Sequence, residues 1–242
     1  MADTRFNTQT GTQVQVDQGL RSYMLRVYNY MGAGLAITGA AAFGTFHAAV
    51  DATGALTPFG NTVFVSPLKW VLILAPLAMV MFLSFRIHKM SVSAAQLTFW
   101  AYAALVGVSF GSLGLIYTAG SIAQVFFITA GAFGALSLYG YTTKRDLTGL
   151  GSFLFMGLIG LIIASLVNLY FQSGMMSLVL SAVSVLIFTG LTAYDTQKIK
   201  EMYFDGDDVA VMGRKAIMGA LSLYLDFINL FLSLLRLFGN RN

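Results

Sequence analysis

Seven separate stretches of this chain are apolar enough, and long enough, to cross a lipid bilayer as helices. Such a helix needs ~20 mostly apolar residues, and its backbone polar groups must be hydrogen-bonded within the helix. The stretches cover residues 31–50, 68–85, 94–118, 122–141, 150–171, 175–194 and 216–238. Because 57% of the residues are hydrophobic and only 10% are charged, an ordinary soluble domain is excluded. The sequence predicts an all-α integral membrane protein with seven transmembrane helices.

The distribution of basic residues predicts how the chain is inserted. Lys and Arg accumulate in the short cytoplasmic segments of membrane proteins. With a cytoplasmic N-terminus, eleven of the 14 basic residues lie on the cytoplasmic side, and Lys69, Arg236 and Arg241 lie on the other. An odd number of crossings then places the C-terminus outside. The alternative is a re-entrant last stretch, which would return the C-terminus to the cytoplasm.

The chain divides into a tail and a membrane domain. Residues 1–26 are predicted to form a disordered cytoplasmic tail, and residues 27–242 the membrane domain. The first 20 residues are rich in Gln, Thr and Asp and contain no apolar run, so they are not a signal peptide. The net charge of +4 requires no nucleic-acid partner, because the basic residues flank the apolar stretches, where lipid headgroups lie.

Patterns typical of soluble enzymes occur in the wrong structural context. Residues 107–111 read Gly-Val-Ser-Phe-Gly, but they lie within an apolar stretch and not at the strand-to-helix turn that a serine nucleophile requires. The chain has no cysteine, and neither His47 nor His88 has a second histidine at metal-ligand spacing. We therefore predict that the protein is not an enzyme and holds no cofactor. Small residues at close spacing predict helix packing instead: Gly107 and Gly111, Gly131 and Gly134, Gly157 and Gly160.

Two aspartates in apolar surroundings are the candidate functional residues. Asp226 lies about ten residues into the last stretch, roughly 15 Å from its start, so it needs an internal partner or a bound cation. At about 100° per residue it belongs to one polar stripe of the helix: Gly219, Ser222, Asp226, Asn229, Ser233 and Arg236. Asp195 shares a face with Ser177, Ser181 and Ser184. Taken alone, Asp195 is equally well explained as an interfacial acid near the cytoplasmic end of its helix.

Three separated runs, in this order, resemble the bacterial branch of the Bax-inhibitor-1 family. They are Tyr-Thr-Thr-Lys-Arg-Asp-Leu-Thr-Gly at 141–149, Ala-Tyr-Asp-Thr-Gln at 193–197 and Leu-Asp-Phe-Ile-Asn-Leu-Phe at 225–231. The resemblance extends over nearly everything after residue 27. It implies a bundle in which six helices surround a central seventh, in the inner membrane, with a pH-sensitive calcium leak.

The resemblance also implies roles for individual residues. Asp195 and Asp226 match the proton-sharing aspartate pair of the family, with calcium as the transported ion. Arg86 fits the arginine at the cytoplasmic end of the second helix, by location more than by its flanking residues, and Arg236 fits the one near the end of the seventh. Both are candidate gating residues. Some relatives carry a glutamate within the second span, whereas residues 68–85 contain no acid, so a latch between that acid and Arg236 is not expected here.

Two hypotheses follow from these residues. The first is a calcium leak gated by the two aspartates, because adjacent carboxyls share a proton and repel each other when it leaves. Their oxygens are hard ligands suited to Ca²⁺. The second, which the resemblance implies, is an interaction protein that modulates a membrane-bound protease through the tail at residues 1–20. A seven-helix photoreceptor is excluded because the last stretch contains no lysine for a Schiff base, Lys215 lying just before it.

Overall fold

The computed structural model describes the backbone of residues 3–242 and the side chains of residues 18–242. Seven long helices make up most of that backbone and are numbered in chain order: α1 Asp3–Ala49, α2 Leu68–Arg86, α3 Val92–Phe110, α4 Ala119–Thr142, α5 Thr148–Phe171, α6 Gly174–Glu201 and α7 Val209–Phe238. The predicted all-α class is confirmed.

Six of these helices, α2 to α7, are long and apolar enough to cross a membrane when the described residues are searched. The predicted span at residues 31–50, within α1, is not among the six, so the number seven is not confirmed. Four glycines, two threonines and His47 lower the mean hydropathy of that segment. The helix itself nevertheless runs beside α3 and α7 in the bundle.

The connections between helices gather at two opposite ends of the bundle. One end, which we call the basic end, contains the connections 87–91, 143–147 and 202–208. Arg214, near the start of α7, donates to the carbonyl of Met90 in the first connection. Gln197, near the end of α6, donates to the carbonyl of Arg145 in the second. At the other end, the terminal end, the backbone of Asn242 donates to the carbonyl of Ile116. The last helix therefore runs continuously from the basic end to the terminal end.

The last helix is the most buried of the six. In its most apolar segment 67% of the residues are buried, against at most 33% in the other five. It packs against α1, α3, α4 and α6. At the α3 contact, the ring of Tyr224 meets Phe99 and Tyr102 edge-on at 5.8 and 5.6 Å, and its hydroxyl lies 2.7 Å from the Thr38 hydroxyl on α1. These contacts fix the rotation of α7 about its own axis.

Polar residues define where several helices begin. Ser91, Thr118 and Ser173 each accept a hydrogen bond from a backbone N–H in the first turn of α3, α4 and α6.

In the longest connection, Gly54 adopts a positive φ of 83°, and the Asp51 carboxylate accepts hydrogen bonds from Thr53 and Ala55. These bonds, that from the Thr53 hydroxyl above all, hold the pKa of Asp51 below its usual value.

The prediction that glycines allow close helix packing is confirmed at some of the named positions and wrong at others. A Cβ atom on Gly107 would collide with the Thr38 backbone of α1, and one on Gly111 would meet the Thr45 side chain at 2.9 Å. A Cβ atom on Gly157 would lie 3.3 Å from Cδ1 of Ile187, a looser fit. By contrast, a Cβ on Gly131, Gly134 or Gly160 would meet no atom within 4 Å among the described residues. These three glycines face open space, where no helix approaches.

The predicted tail falls mostly outside the described side chains, which begin at Gln18. The prediction for residues 1–17 therefore stays a prediction. Within residues 18–26, Tyr23 and Met24 are buried against the bundle, with 1% and 3% of their surface exposed. Packing of the membrane domain thus begins a few residues before the predicted boundary at residue 27.

Candidate functional site

Asp226 lies in the interior of the bundle, on the most buried helix. Only 4% of its surface is exposed, and its Oδ2 atom has no hydrogen-bond partner among the described residues. Asp195 is half-buried on α6. Helices α6 and α7 pack along much of their length. They approach closely at Gly219 of α7, where an added Cβ atom would lie only 3.0 Å from Cγ2 of Ile199 on α6. The sequence thus places both acids on facing helices.

The side chains of Asp195 and Asp226 lie within hydrogen-bonding reach of each other. An ionised carboxylate only accepts hydrogen bonds, so such a bond requires that one of the two carries a proton. The positive charge of Lys198, one turn further along α6, acts on Asp195. The Lys198 side chain is exposed and lies over the ring of Tyr194 at 5.9 Å. The buried carboxyl of Asp226 and the half-buried carboxyl of Asp195 are thus placed so that they can share one proton.

The polar stripe on α7 is satisfied mainly within its own helix. Ser233 donates to the carbonyl of Asn229, and Asn229 donates to that of Leu225. Gly219, Asp226 and Ser233 are buried, Ser222 and Asn229 are half-buried, and Arg236 is exposed. Asp226 instead lies against the side chain of Asp195 on α6. Asp226 is therefore a polar link between the stripe on α7 and α6.

Comparison with known proteins assigns the chain to a family. The family model described as inhibitor of apoptosis-promoting Bax1 matches residues 20–242. The chain belongs to the Bax inhibitor-1 family. It is 49% identical to inner membrane protein YbhL of Escherichia coli K12 over 230 residues, 94% of this chain and 95% of the relative. It is 47% identical to protein RP147 of Rickettsia prowazekii over 238 residues, 98% of each chain.

The two arginines that the Bax inhibitor-1 pattern implicates are not brought to the aspartates. Arg86 is exposed at the basic end of α2, and Arg236 is exposed near the terminal end of α7. Ten residues of helix separate Arg236 from Asp226, about 15 Å along the axis. Within the described residues, the ion pair that forms joins Lys215 to Asp207. Either arginine would have to move to reach the pair.

A buried hydroxyl network beside the pair is the feature that sequence reasoning missed. The Tyr28 hydroxyl lies 2.6 Å from that of Ser137, which lies 2.9 Å from that of Thr196. Thr196 in turn donates to the carbonyl of Thr192. The bonds join α1, α4 and α6 one residue after Asp195. The signal was present in the run at 193–197, whose polar residues continue past the aspartate.

Gln197, in the same run, fixes the end of α6 against a connection. Its side-chain oxygen accepts from the backbone of Leu147, and its amide donates to the carbonyl of Arg145, both at 2.8 Å. An amide side chain can satisfy a backbone donor with its oxygen and a backbone acceptor with its nitrogen at the same time. Thr196 and Gln197 together hold the helical turn that carries Asp195.

The remaining sequence candidates lie elsewhere. His47 and His88 are both exposed, and His47 stacks on Phe43. In the acidic connection, Asp205 accepts from Tyr203, and Asp207 pairs with Lys215. Across the part of the chain that the structure describes, no three acids or histidines gather as a metal site. A cation at the aspartate pair would receive two protein carboxylates and complete its shell with water or backbone oxygens.

Proposed function

We propose that this Bax inhibitor-1 protein is a pH-sensitive cation leak of the inner membrane, with Ca²⁺ as the transported ion and Asp195 and Asp226 as its gate. One observation carries the proposal: two carboxyl groups meet on facing helices, one of them buried with an unpartnered oxygen. The membrane location is supported by the six apolar helices and by the E. coli relative, which is an inner membrane protein.

The gating step follows from the chemistry of a carboxyl pair. With one proton shared, the carboxyls attract each other and hold α6 against α7. When that proton leaves, two negative charges repel each other in surroundings of low dielectric constant, which favours separation of the helices. The exposed oxygens are then hard ligands for a divalent cation. Two carboxylates bind Ca²⁺ weakly, which suits passage better than storage.

The proposal extends to the arrangement of the whole bundle. In it, α1 crosses the membrane as a seventh helix, the other six surround α7, the N-terminus is cytoplasmic and the C-terminus is outside. Arg86 and Arg236 act as gating residues in another state of the protein, in which Arg86 competes with the cation for an aspartate. The protein catalyses no reaction, and it needs no bound cofactor.

Flux measurements test the gate directly. The protein is reconstituted in liposomes that enclose a calcium dye, and influx is recorded at several pH values between 5 and 8. Wild-type flux should rise as the pH rises. Asp195→Asn and Asp226→Asn, which cannot lose the shared proton, should remove that dependence. Asp208→Asn is the matched control, because Asp208 is an exposed aspartate at the start of α7.

An unchanged pH profile in both pair variants, at equal amounts of reconstituted protein, sinks the proposed gate. The alternative function, modulation of a membrane-bound protease, depends instead on the tail. Deletion of residues 1–17 should leave flux intact under the leak proposal. If the deletion abolishes association with a protease and the aspartate variants do not affect it, the interaction protein is the better description.

A further inference from the structure

A groove opens between α1 and α4 near the basic end of the bundle. Its volume is about 530 Å³, within the range of ~300–1,000 Å³ typical of small-molecule sites. Apolar side chains of both helices form its walls, among them Met24, Leu25, Phe133 and Leu138. Arg21 and Tyr141 line it as well. The groove is therefore apolar along most of its length and carries a positive charge at one position.

Two features of the sequence keep the groove open. Gly134 lines it, and a Cβ atom there would meet no atom within 4 Å, so no side chain fills the space. Beneath it, the hydrogen bond between Tyr28 and Ser137 joins the two helices. That bond satisfies the hydroxyls that line the groove without closing it. The groove thus results from the absence of a side chain at Gly134, next to a hydrogen bond that holds α1 and α4 together.

The charges around the groove favour an anion. No acidic side chain is among the residues that line it. Lys200 lies over the ring of Tyr141 at 5.1 Å, and Lys144 and Arg145 follow in the next connection. Asp205 and Asp207 approach Gly19 and Tyr23 instead. Residues 19 and 23 lie roughly 160–200° around α1 from residue 21, on the side away from the groove.

We propose that this groove binds an anionic phospholipid, with an acyl chain along the apolar walls and the phosphate at Arg21. The basic end lies where lipid headgroups meet a membrane protein, and basic pockets between membrane helices bind anionic headgroups there. The guanidinium donates to phosphate oxygens in a bidentate geometry. Lipid binding in the groove does not use the aspartate pair, although the bond between Tyr28 and Ser137 continues to Thr196, the neighbour of Asp195.

Lipid titration followed by native mass spectrometry tests the proposal. The full chain is delipidated in detergent and titrated with dioleoyl phosphatidylglycerol or dioleoyl phosphatidylcholine, which have identical chains and different headgroups. The wild type should bind the anionic lipid about fivefold more tightly. Arg21→Gln should remove that preference, because it weakens binding of the anionic lipid more than binding of phosphatidylcholine, whose choline cation already compensates the phosphate charge. Lys69→Gln, which removes one charge at the terminal end, should behave as the wild type.

Filling the groove tests the acyl-chain part of the site. Gly134→Leu should weaken binding of both lipids, whereas Gly131→Leu, at an equally open glycine that does not line the groove, should weaken neither. Leu138→Trp is a second filling variant if Gly134→Leu does not fold. Equal affinity of the wild type for both lipids overturns the proposal, as does a preference that survives Arg21→Gln. Displacement of the lipid by millimolar inorganic phosphate would also overturn the proposal, and so would the finding that a second copy of the chain occupies the groove.

Discussion

A carboxyl group in the middle of a membrane helix persists only when a neighbour shares or compensates its charge. At Asp226 that neighbour is another carboxyl group, and not a basic side chain. The arrangement is a liability for stability, because an ordinary packed or neutral residue would avoid the repulsion. A pair of acids at a helix interface lowers the stability of the fold and is therefore typical of a functional site. Lys215 and Asp207, in contrast, carry opposite charges and attract each other.

Replacement of Asp226 by asparagine should stabilise the protein. Asparagine keeps the shape of the side chain and supplies an N–H donor to Asp195, so the repulsion disappears. We expect a gain of roughly 1–3 kcal/mol in the free energy of unfolding at pH 8, shrinking as the pH falls and the wild-type pair shares its proton. Thermal unfolding in detergent at pH 5 and pH 8 measures it. Asp208→Asn should show no such pH-dependent gain, and a destabilised Asp226→Asn at pH 8 would contradict the expectation.

At the scale of single residues, the sequence predicted part of the site. The stripe geometry indicated that Asp226 faces the bundle interior, and it does, whereas helical periodicity left Asp195 ambiguous. Family resemblance joined the two. The hydroxyl network from Tyr28 to Thr196 was not predicted, because Ser and Thr in membrane helices often bond their own backbone. Nothing in their spacing shows which of them reach a neighbouring helix.

At the scale of helices, hydropathy predicted the six apolar helices α2 to α7 but not their ends. The sixth stretch was predicted at residues 175–194, whereas α6 extends over Gly174–Glu201. The seventh was predicted at 216–238, whereas α7 begins at Val209. The extra turns carry lysines, an arginine and polar residues, so their hydropathy falls although the backbone hydrogen bonds continue. Apolar length reports the thickness of the bilayer, and helix length does not.

The contact between α1 and α3 should depend on the absence of a side chain at Gly107. An added methyl group would collide with the backbone of Thr38, which cannot yield as a flexible side chain does. Gly107→Ala should therefore destabilise the protein by roughly 1–3 kcal/mol. Gly131→Ala, where the methyl meets open space, should be neutral or stabilising by up to about 1 kcal/mol. The midpoint of thermal unfolding of both variants checks this, and equal effects would show that α1 does not pack as described.

At the scale of the whole molecule, cysteine labelling tests the proposal that α1 crosses the membrane with α2 to α7. The chain has no cysteine, so single cysteines at Gln18, Ala52, Asp205 and Asn242 are unique sites for a membrane-impermeant maleimide. We expect Gln18 and Asp205 to react from the cytoplasmic side and Ala52 and Asn242 from the opposite side. Intact cells and inverted vesicles distinguish the two. Reaction of Gln18 and Ala52 from one side would limit the bundle to six crossings.

The order of the helices along the chain also bears on how the protein is made. A ribosome delivers α7 after α1, α3, α4 and α6, the four helices that pack against it. Until α7 arrives these helices lack their contacts with it, and Tyr224 has yet to reach Thr38. Assembly of the bundle is therefore completed only when α7, which carries a buried carboxyl group, packs against helices that were synthesised before it. Chains truncated before residue 209 lack the segment that completes their core.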